Sequence, residues 1–496
     1  MSEIQKYPKK IHLLMPGFCP DAFKLMFKGI ICFMLLSCLP VNAQGQLAEY
    51  RYSKMFSVAD CKEDLNYYRN KLETEHPDLY IYLSSLEFKQ FFDSITGSIT
   101  MPMNSINFYN LITLVLPKIK DGHTHIFPDP ATTEDNDNLA PFFPVNIHWE
   151  DGHMYVVKVY SSDKRLTPGT EIQIINGVNA SFLYDLMIRR QIRDGYNLTY
   201  PAWILERYFA EYYSYHIGNP DSFTLNTRRP DNTYETITIN GLTKDSIAYY
   251  RKSLYNEPSG DELFNTGITL SVDTSLHAAV LTIKDFHNDH LHDTYRQNFK
   301  QVISALFTKI NEQPIEHLIL DLRNNQGGDI ENGVMLLSYL LDTTFQAVQS
   351  YSKVDPKTYQ IPMARLKPVT GPMMGPQEPQ KNNFKGKLYV LTNGGSFSNS
   401  AIVCSALQAY HRCAFIGEET GGNPNVIAGG GKYTTLPKTR TQILVPNLQF
   451  EIRLKAQNPG TGIQPDHLVK PTLQDILAGR DPILNYTYQL IRENKS

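Results

Sequence analysis

Two apolar runs in the second half of the chain, each stopped by paired glycines among polar residues, constrain the fold most. The first, Leu318-Ile319-Leu320-Asp321-Leu322, passes into Arg323-Asn324-Asn325-Gln326-Gly327-Gly328. The second, Leu388-Tyr389-Val390-Leu391, passes into Thr392-Asn393-Gly394-Gly395-Ser396-Phe397-Ser398-Asn399-Ser400. Each reads as a buried strand, and helical periodicity follows through Val334–Leu341 and Ala401–Leu407 respectively. With a further strand at Ala279–Ile283 and a helix through Ile303 and Phe307, strands alternate with helices after about residue 260, which predicts an α/β core. The segment 355–387, rich in Pro and Lys, reads as a surface excursion bordering a cleft.

A chain of 496 residues exceeds one comfortable core and predicts about two to four units. In the first, Cys61, Leu65, Tyr68 and Leu72 repeat at helical spacing, as do Phe108, Leu111, Ile112 and Val115. Ser84 and Glu87 form a capping-box pattern that opens a helix through Phe88, Phe91 and Ile95, with Gly97 at its end. From about 142 to 242 the pattern changes to short strands at Phe143–His148, Met154–Val159, Glu171–Ile175 and Tyr234–Ile239, with a helical insertion over 180–215. Here Leu166-Thr167-Pro168-Gly169-Thr170-Glu171-Ile172, followed by Ile174-Ile175-Asn176-Gly177, resembles the turn and strand pair of PDZ domains in bacterial proteases. A purely structural β-unit is the alternative. The predicted organisation is a signal peptide over 1–43, a helical N-terminal domain over 44–135, a PDZ-like domain over 136–245 and an α/β domain over 246–496.

Lys24 and Lys28 precede the apolar run Gly29–Leu39, which is short for a membrane span. Val41-Asn42-Ala43 offers a cleavage site, while Leu35-Leu36-Ser37-Cys38 resembles a lipobox that would tether the chain to a membrane through Cys38. Either reading places the mature chain in the periplasm or cell envelope. Cleavage after Ala43 leaves Cys61, Cys404 and Cys413, an odd number that argues for packing roles over a disulfide framework. A net charge of -3 with no basic block excludes nucleic acid as an expected partner.

Three segments carry residues suited to chemistry. The glycine pair Gly327-Gly328 can turn backbone N–H groups toward a developing negative charge. Ser398 stands ahead of a helix, where the dipole favours negative charge, while Ser396 or Ser400 suits a capping role. Asp121-Gly122-His123-Thr124-His125 supplies a candidate base in His123. His287, Asp289, His290 and His292 invite a metal reading, and Glu134–Asn138 a calcium reading. Solvated loops account for both patches, and no metal or organic cofactor is expected.

Together the three segments resemble the tail-specific (C-terminal processing) peptidase family, and more closely its tricorn-type branch than its Ser-Lys branch. Two further motifs support this: Gly417-Glu418-Glu419-Thr420-Gly421-Gly422 and Gly462-Ile463-Gln464-Pro465-Asp466. The resemblance implies a ClpP/crotonase-like α/β peptidase core acting on peptide or protein substrates. It implies Ser398 as nucleophile, His123 as base, and Asn399 with Gly327 or Gly328 as oxyanion donors. The lysine of the Ser-Lys branch is replaced by Asn423, with Lys432 the nearest lysine downstream. The tricorn-type serine before the histidine is replaced by Gly122, and its glutamate before the closing motif by Gln457, Asn458 and Pro459. The group that orients His123 is then Asp121 or Glu419. A peptide- or ligand-binding protein that keeps the fold without full activity is the alternative reading.

Overall fold

The structure, a computed structural model, describes residues 54–77, 79–257, 267–354, 366–368, 371, 373–452 and 460–493. The expected leader, Cys38 and residues 457–459 lie outside the described residues. A six-stranded sheet runs in the order Ile268–Asp273, Ala278–Ile283, His317–Asp321, Lys387–Thr392, Cys413–Gly417, His467–Leu468. Its first pair is antiparallel and the remaining neighbours are parallel.

Side chains alternate across these strands, so each strand feeds two cores. Leu281, Leu320 and Val390 pack against helices Phe299–Asn311, Ile330–Leu340 and Asn399–Ala409. Val280, Ile319 and Leu391 pack instead against the last helix, Pro482–Glu493. Burial on both faces is why the runs are continuously apolar. The register sets Leu320 opposite Val390 and Asp321 opposite Leu391. The two glycine turns therefore leave the sheet side by side at the carboxyl ends of parallel strands, where α/β folds place their sites.

Near the start of the described chain, helix Val58–Glu75 buries Cys61, Leu65, Tyr68 and Leu72 on one face. Helix Ser85–Ser98 opens on the predicted Ser84–Glu87 capping box. Gly97 does not end it. A helical glycine costs only about 1 kcal/mol, and the buried flanking residues Ile95 and Ile99 carry the helix through Ser98. Helix Ser105–Ile112 buries Phe108, Leu111 and Ile112, and a single tighter turn, Thr113–Val115, follows.

A second sheet is antiparallel, ordered Val145–Glu150, His153–Val159, Glu171–Ile175, Ser222–Arg228, Tyr234–Asn240. Asn176 and Gly177 both have positive φ, 49° and 78°, as a two-residue hairpin turn requires. Helices Ala180–Ile188 and Thr199–His216 cover the sheet through Leu183, Met187, Leu205 and Phe209. Strand Ser222–Arg228 is an addition to the sequence reading; only Phe223 and Leu225 mark its apolar face.

Two patches expected as loops are helical. Residues Asn288–Tyr295 form a helix anchored by buried Leu291, with Asp289 in its first turn, where the dipole favours a carboxylate. His287 and His292 stay exposed and pair with Asp285 and Asp293, each at 2.8 Å. Helix Pro130–Leu139 starts where Asp129 Oδ1 accepts the N–H of Ala131. Among the described residues, neither patch gathers three ligand atoms. Part of the predicted excursion is sheet: Leu366–Pro368 pairs with Val348–Val354, which pairs with Leu448–Ile452. Cys61, Cys404 and Cys413 are free thiols, the first two buried, and no described helix is long and apolar enough to cross a membrane.

Strand His125–Phe127 pairs with Gln442–Leu444, which pairs with Tyr433–Thr435. Around this small sheet, Leu65, Tyr68 and Ile112 share one core with Phe397, Leu436 and Ile443. The segment carrying His123 is thus fastened to the last quarter of the chain. Burial pushes the His125 imidazole down to about 4. The unfolded chain takes up this proton near pH 6.5, and the folded one not until about pH 4, so stability falls across that window as pH drops. His125→Phe, which can keep the stacking on Phe127, removes the penalty. Urea midpoints of the variant should fall less than the parent's between pH 7 and pH 4.5; equal falls would contradict the assignment.

Candidate active site

The turn after His317–Asp321 is built by its own side chains. Asn325 Nδ2 donates to the carbonyl of Ile283 at 2.9 Å, and its Oδ1 accepts the N–H of Gly327 at 2.8 Å. Its carbonyl accepts the Phe397 N–H at 3.0 Å and the Ser400 hydroxyl at 2.8 Å. Asn324 and Asn393 bridge the two turns reciprocally, with Asn324 N–H to Asn393 Oδ1 at 2.9 Å and Asn393 Nδ2 to Asn324 Oδ1 at 2.8 Å. Beneath them, Lys284 and Arg323 flank Asp321 at 3.1 and 2.8 Å. Burial raises the carboxyl of Asp321, but these two cations outweigh it and hold its pKa at about 2.

Gly327 sits against the serine turn at φ 104°. A Cβ there would lie 2.7 Å from both Ser398 Cβ and the Asn399 nitrogen. Both the positive φ and the close approach therefore demand glycine. The three serines divide the work. Ser396 Oγ donates to the carbonyl of Leu322 at 2.9 Å, and Ser400 Oγ is held by Asn325. Neither caps the helix; the cap position of Asn399–Ala409 is Ser398, whose side chain makes no cap hydrogen bond. Ser398 adopts φ 54°, ψ -118°, a costly conformation for a residue with a Cβ.

His123 Nε2 lies 3.1 Å from Ser398 Oγ, although 275 positions separate them in the sequence. The imidazole stacks on Phe397, with ring centroids 4.8 Å apart. Phe397 in turn stacks on Tyr200 at 4.2 Å. His123 Nδ1 is buried without a hydrogen-bond partner, and Asp121 Oδ1 stands 3.9 Å away. That same oxygen accepts the His123 N–H at 3.2 Å; Asp121 Oδ2 accepts Thr124 Oγ1 at 2.5 Å and meets His76 Nε2 at 3.1 Å. Burial alone would raise the Asp121 carboxyl, but His76, His123 and Thr124 hold it well below the usual carboxylate range. Burial lowers the His123 pKa, and the negative Asp121 opposes that only in part. The ring is therefore neutral at pH 7, the form a general base needs.

The other sequence-predicted residues divide. Glu419 is committed elsewhere: its Oε1 accepts the Gly462 N–H at 2.7 Å and Asn197 Nδ2 at 2.9 Å. The N–H of Gly327 is occupied by Asn325. The N–H groups of Gly328 and Asn399 have no intramolecular acceptor among the described residues. Asn423 donates through Nδ2 to the Tyr82 hydroxyl at 2.7 Å. Sequence reasoning missed Asp194, which is buried and accepts the Gly122 N–H at 2.8 Å and the Asn423 N–H at 3.0 Å. It lies between two helices of the second sheet's layer, and no local pattern marks it.

Position 122 has no room for a side chain. A Cβ at 122 would lie 2.6 Å from Phe397 Cζ and 2.9 Å from Asp194 Oδ1. Gly122→Ser should therefore cost about 1–3 kcal/mol through overpacking, and Phe397→Leu in the same chain should recover part of that loss. Thermal denaturation of the parent, single and double variants checks this; a G122S protein as stable as the parent contradicts it.

Residues 277–469 match Peptidase family S41. The “Probable CtpA-like serine protease” of Staphylococcus epidermidis is 25% identical over 211 residues, covering 42% of this chain and 35% of that protein. The chain thus spans about a third of the length of the curated relatives it matches. Among solved structures, mature CPAF superposes with a TM-score of 0.63 at 12% identity, over 88% of this chain and 99% of CPAF. CPAF complexed with lactacystin gives 0.61 at 13% identity, over 88% and 98%. These superpositions establish a shared fold, and over residues 277–469 the chain is similar in sequence to peptidase family S41.

Proposed function

We propose that the chain is a serine peptidase that cleaves peptide bonds by acyl transfer from Ser398. The observation that carries this reading is the 3.1 Å approach of His123 Nε2 to Ser398 Oγ. His123 takes the hydroxyl proton as Ser398 Oγ attacks the peptide carbonyl carbon, and returns it to the leaving amine. Water, deprotonated by the same imidazole, then releases the acyl group. The N–H groups of Gly328 and Asn399 receive the oxyanion, and the helix that starts at Asn399 adds its positive end.

The remaining parts fit a peptide substrate. The antiparallel sheet, with its Pro168-Gly169 turn and Asn176-Gly177 hairpin, is read as a PDZ-like unit that takes an extended peptide along a strand edge. The leader over 1–43 is read as an export signal, with a lipid tether at Cys38 as the variant of that reading. One observation favours a binding protein of low activity instead: the unpartnered Nδ1 of His123, since a histidine without its orienter loses rate while geometry survives.

A fluorophosphonate probe separates the two readings. The parent should be labelled on Ser398 and Ser398→Ala not at all, while His123→Gln should slow labelling by about 10²–10⁴-fold. Lactacystin, seen in complex with CPAF, serves as a second probe. A parent that takes up neither reagent and cleaves nothing in a broad peptide library supports the binding protein.

A further inference from the structure

His123 lacks a hydrogen-bonded orienter, yet its loop is held from a direction the family motifs do not include. The connection 189–198, between helices Ala180–Ile188 and Thr199–His216, touches the histidine loop and the segments at Thr420–Asn423 and Gly460. Gly195 N–H donates to the carbonyl of Lys120 at 2.8 Å, and Tyr196 N–H to the carbonyl of Gly460 at 2.5 Å. Gly195, at φ 59°, leaves no room for a Cβ, which would sit 2.3 Å from the Gly460 oxygen. Asn197 Nδ2 reaches the Thr420 carbonyl at 3.0 Å.

At the centre of this strap, the two oxygens of Asp194 bind two different walls of the site. Oδ1 holds Gly122, the residue before His123, and Oδ2 holds Asn423. Asn423 follows Gly422, which packs so close to the serine turn that a Cβ there would lie 3.0 Å from the Ser398 nitrogen. One carboxylate thus joins the histidine loop to the turn backing the serine. One ligating atom each of Asp121, His123 and Asp194 lie within 4.8 Å of one another.

We infer that Asp194 is a positioning residue: with Asp121 it forms a two-carboxylate cradle that sets His123 against Ser398, in place of the absent orienting glutamate. The inference rests on the Ser398–His123 reading. A carboxylate oxygen of Asp194 lies within 4.8 Å of a ring nitrogen of His123 from the strap side, while Asp121, His76 and His125 face the ring from its own segment and the first helix. Lys120, at the base of the loop, is turned away over the Tyr196 ring at 3.7 Å. A negative charge near the ring stabilises the imidazolium that forms during attack.

Asp194→Asn keeps the shape, retains one acceptor and sets an N–H₂ against the second amide. It should lower kcat about 10-fold or more with KM within about 3-fold, the split expected when an interaction acts only in the transition state. Removing the charge lowers the imidazole pKa, so the acid limb of the kcat profile should move to lower pH. Asp194→Ser, which opposes no N–H to N–H, is measured in parallel in case the asparagine variant does not fold. An unchanged kcat, or a loss matched by lowered thermal stability with the acid limb unmoved, overturns the inference while leaving Ser398 and His123 in place. Activity lost to EDTA and restored by zinc would reassign the three groups to a metal and also overturn it. A parent that neither labels nor cleaves removes the nucleophile reading itself, and this inference with it.

Discussion

The parallel ladder between His317–Asp321 and Lys387–Thr392 is the constraint on which the site depends. Because the two strands end level, their turns meet, and the meeting is close enough to forbid a side chain at position 327. Asn325 and the Asn324–Asn393 pair then satisfy the polar groups that the meeting would otherwise bury unpaired. An unsatisfied buried polar group costs about 1–3 kcal/mol, so the asparagines make that contact affordable in a packed interior. Their commitment also decides which amides stay open: the N–H of Gly327 is bound by Asn325, and those of Gly328 and Asn399 have no acceptor among the described residues.

The histidine comes to the site by a different route. Strand His125–Phe127 is a short edge pairing with Gln442–Leu444, supported by a core that joins the first helices to Phe397, Leu436, Ile443 and Val445. Phe397, between Ser396 and Ser398 in the sequence, lies under the imidazole and stacks on Tyr200. The ring that supports His123 therefore belongs to the serine's own turn. Positioning a base to within a few tenths of an ångström requires such locked neighbours, and here they come from three separate stretches of chain.

Much of this was legible in the residues. Continuous apolar runs followed by glycine pairs marked the parallel strands and their turns, and the Ser84–Glu87 and Asn176-Gly177 signals each produced the local structure they encode. Ser398 and His123 were singled out from motif and position, and the fold brings them together. What stayed hidden depends on distant partners. Nothing near Gly327 shows that Asn325 takes its N–H, and nothing near Glu419 shows that Gly462 and Asn197 claim its carboxylate. Asp194 sits in a connection without periodicity, so only the folded chain reveals what it touches. The helices at Asn288–Tyr295 and Pro130–Leu139 were read as loops because their polar composition masks the few residues, such as Leu291, that anchor them.

The central claim of the proposed mechanism is geometric: the Ser398 hydroxyl, the His123 ring and the amides of Gly328 and Asn399 together receive the tetrahedral centre. A crystal structure of the chain after reaction with a fluorophosphonate tests it most directly. The account predicts phosphorus bonded to Ser398 Oγ, its free oxygen about 2.7–3.1 Å from the nitrogens of Gly328 and Asn399, and His123 Nε2 within hydrogen-bond reach of the adduct. A phosphonyl oxygen turned into solvent or toward another donor, or an imidazole swung away from the serine, would contradict it.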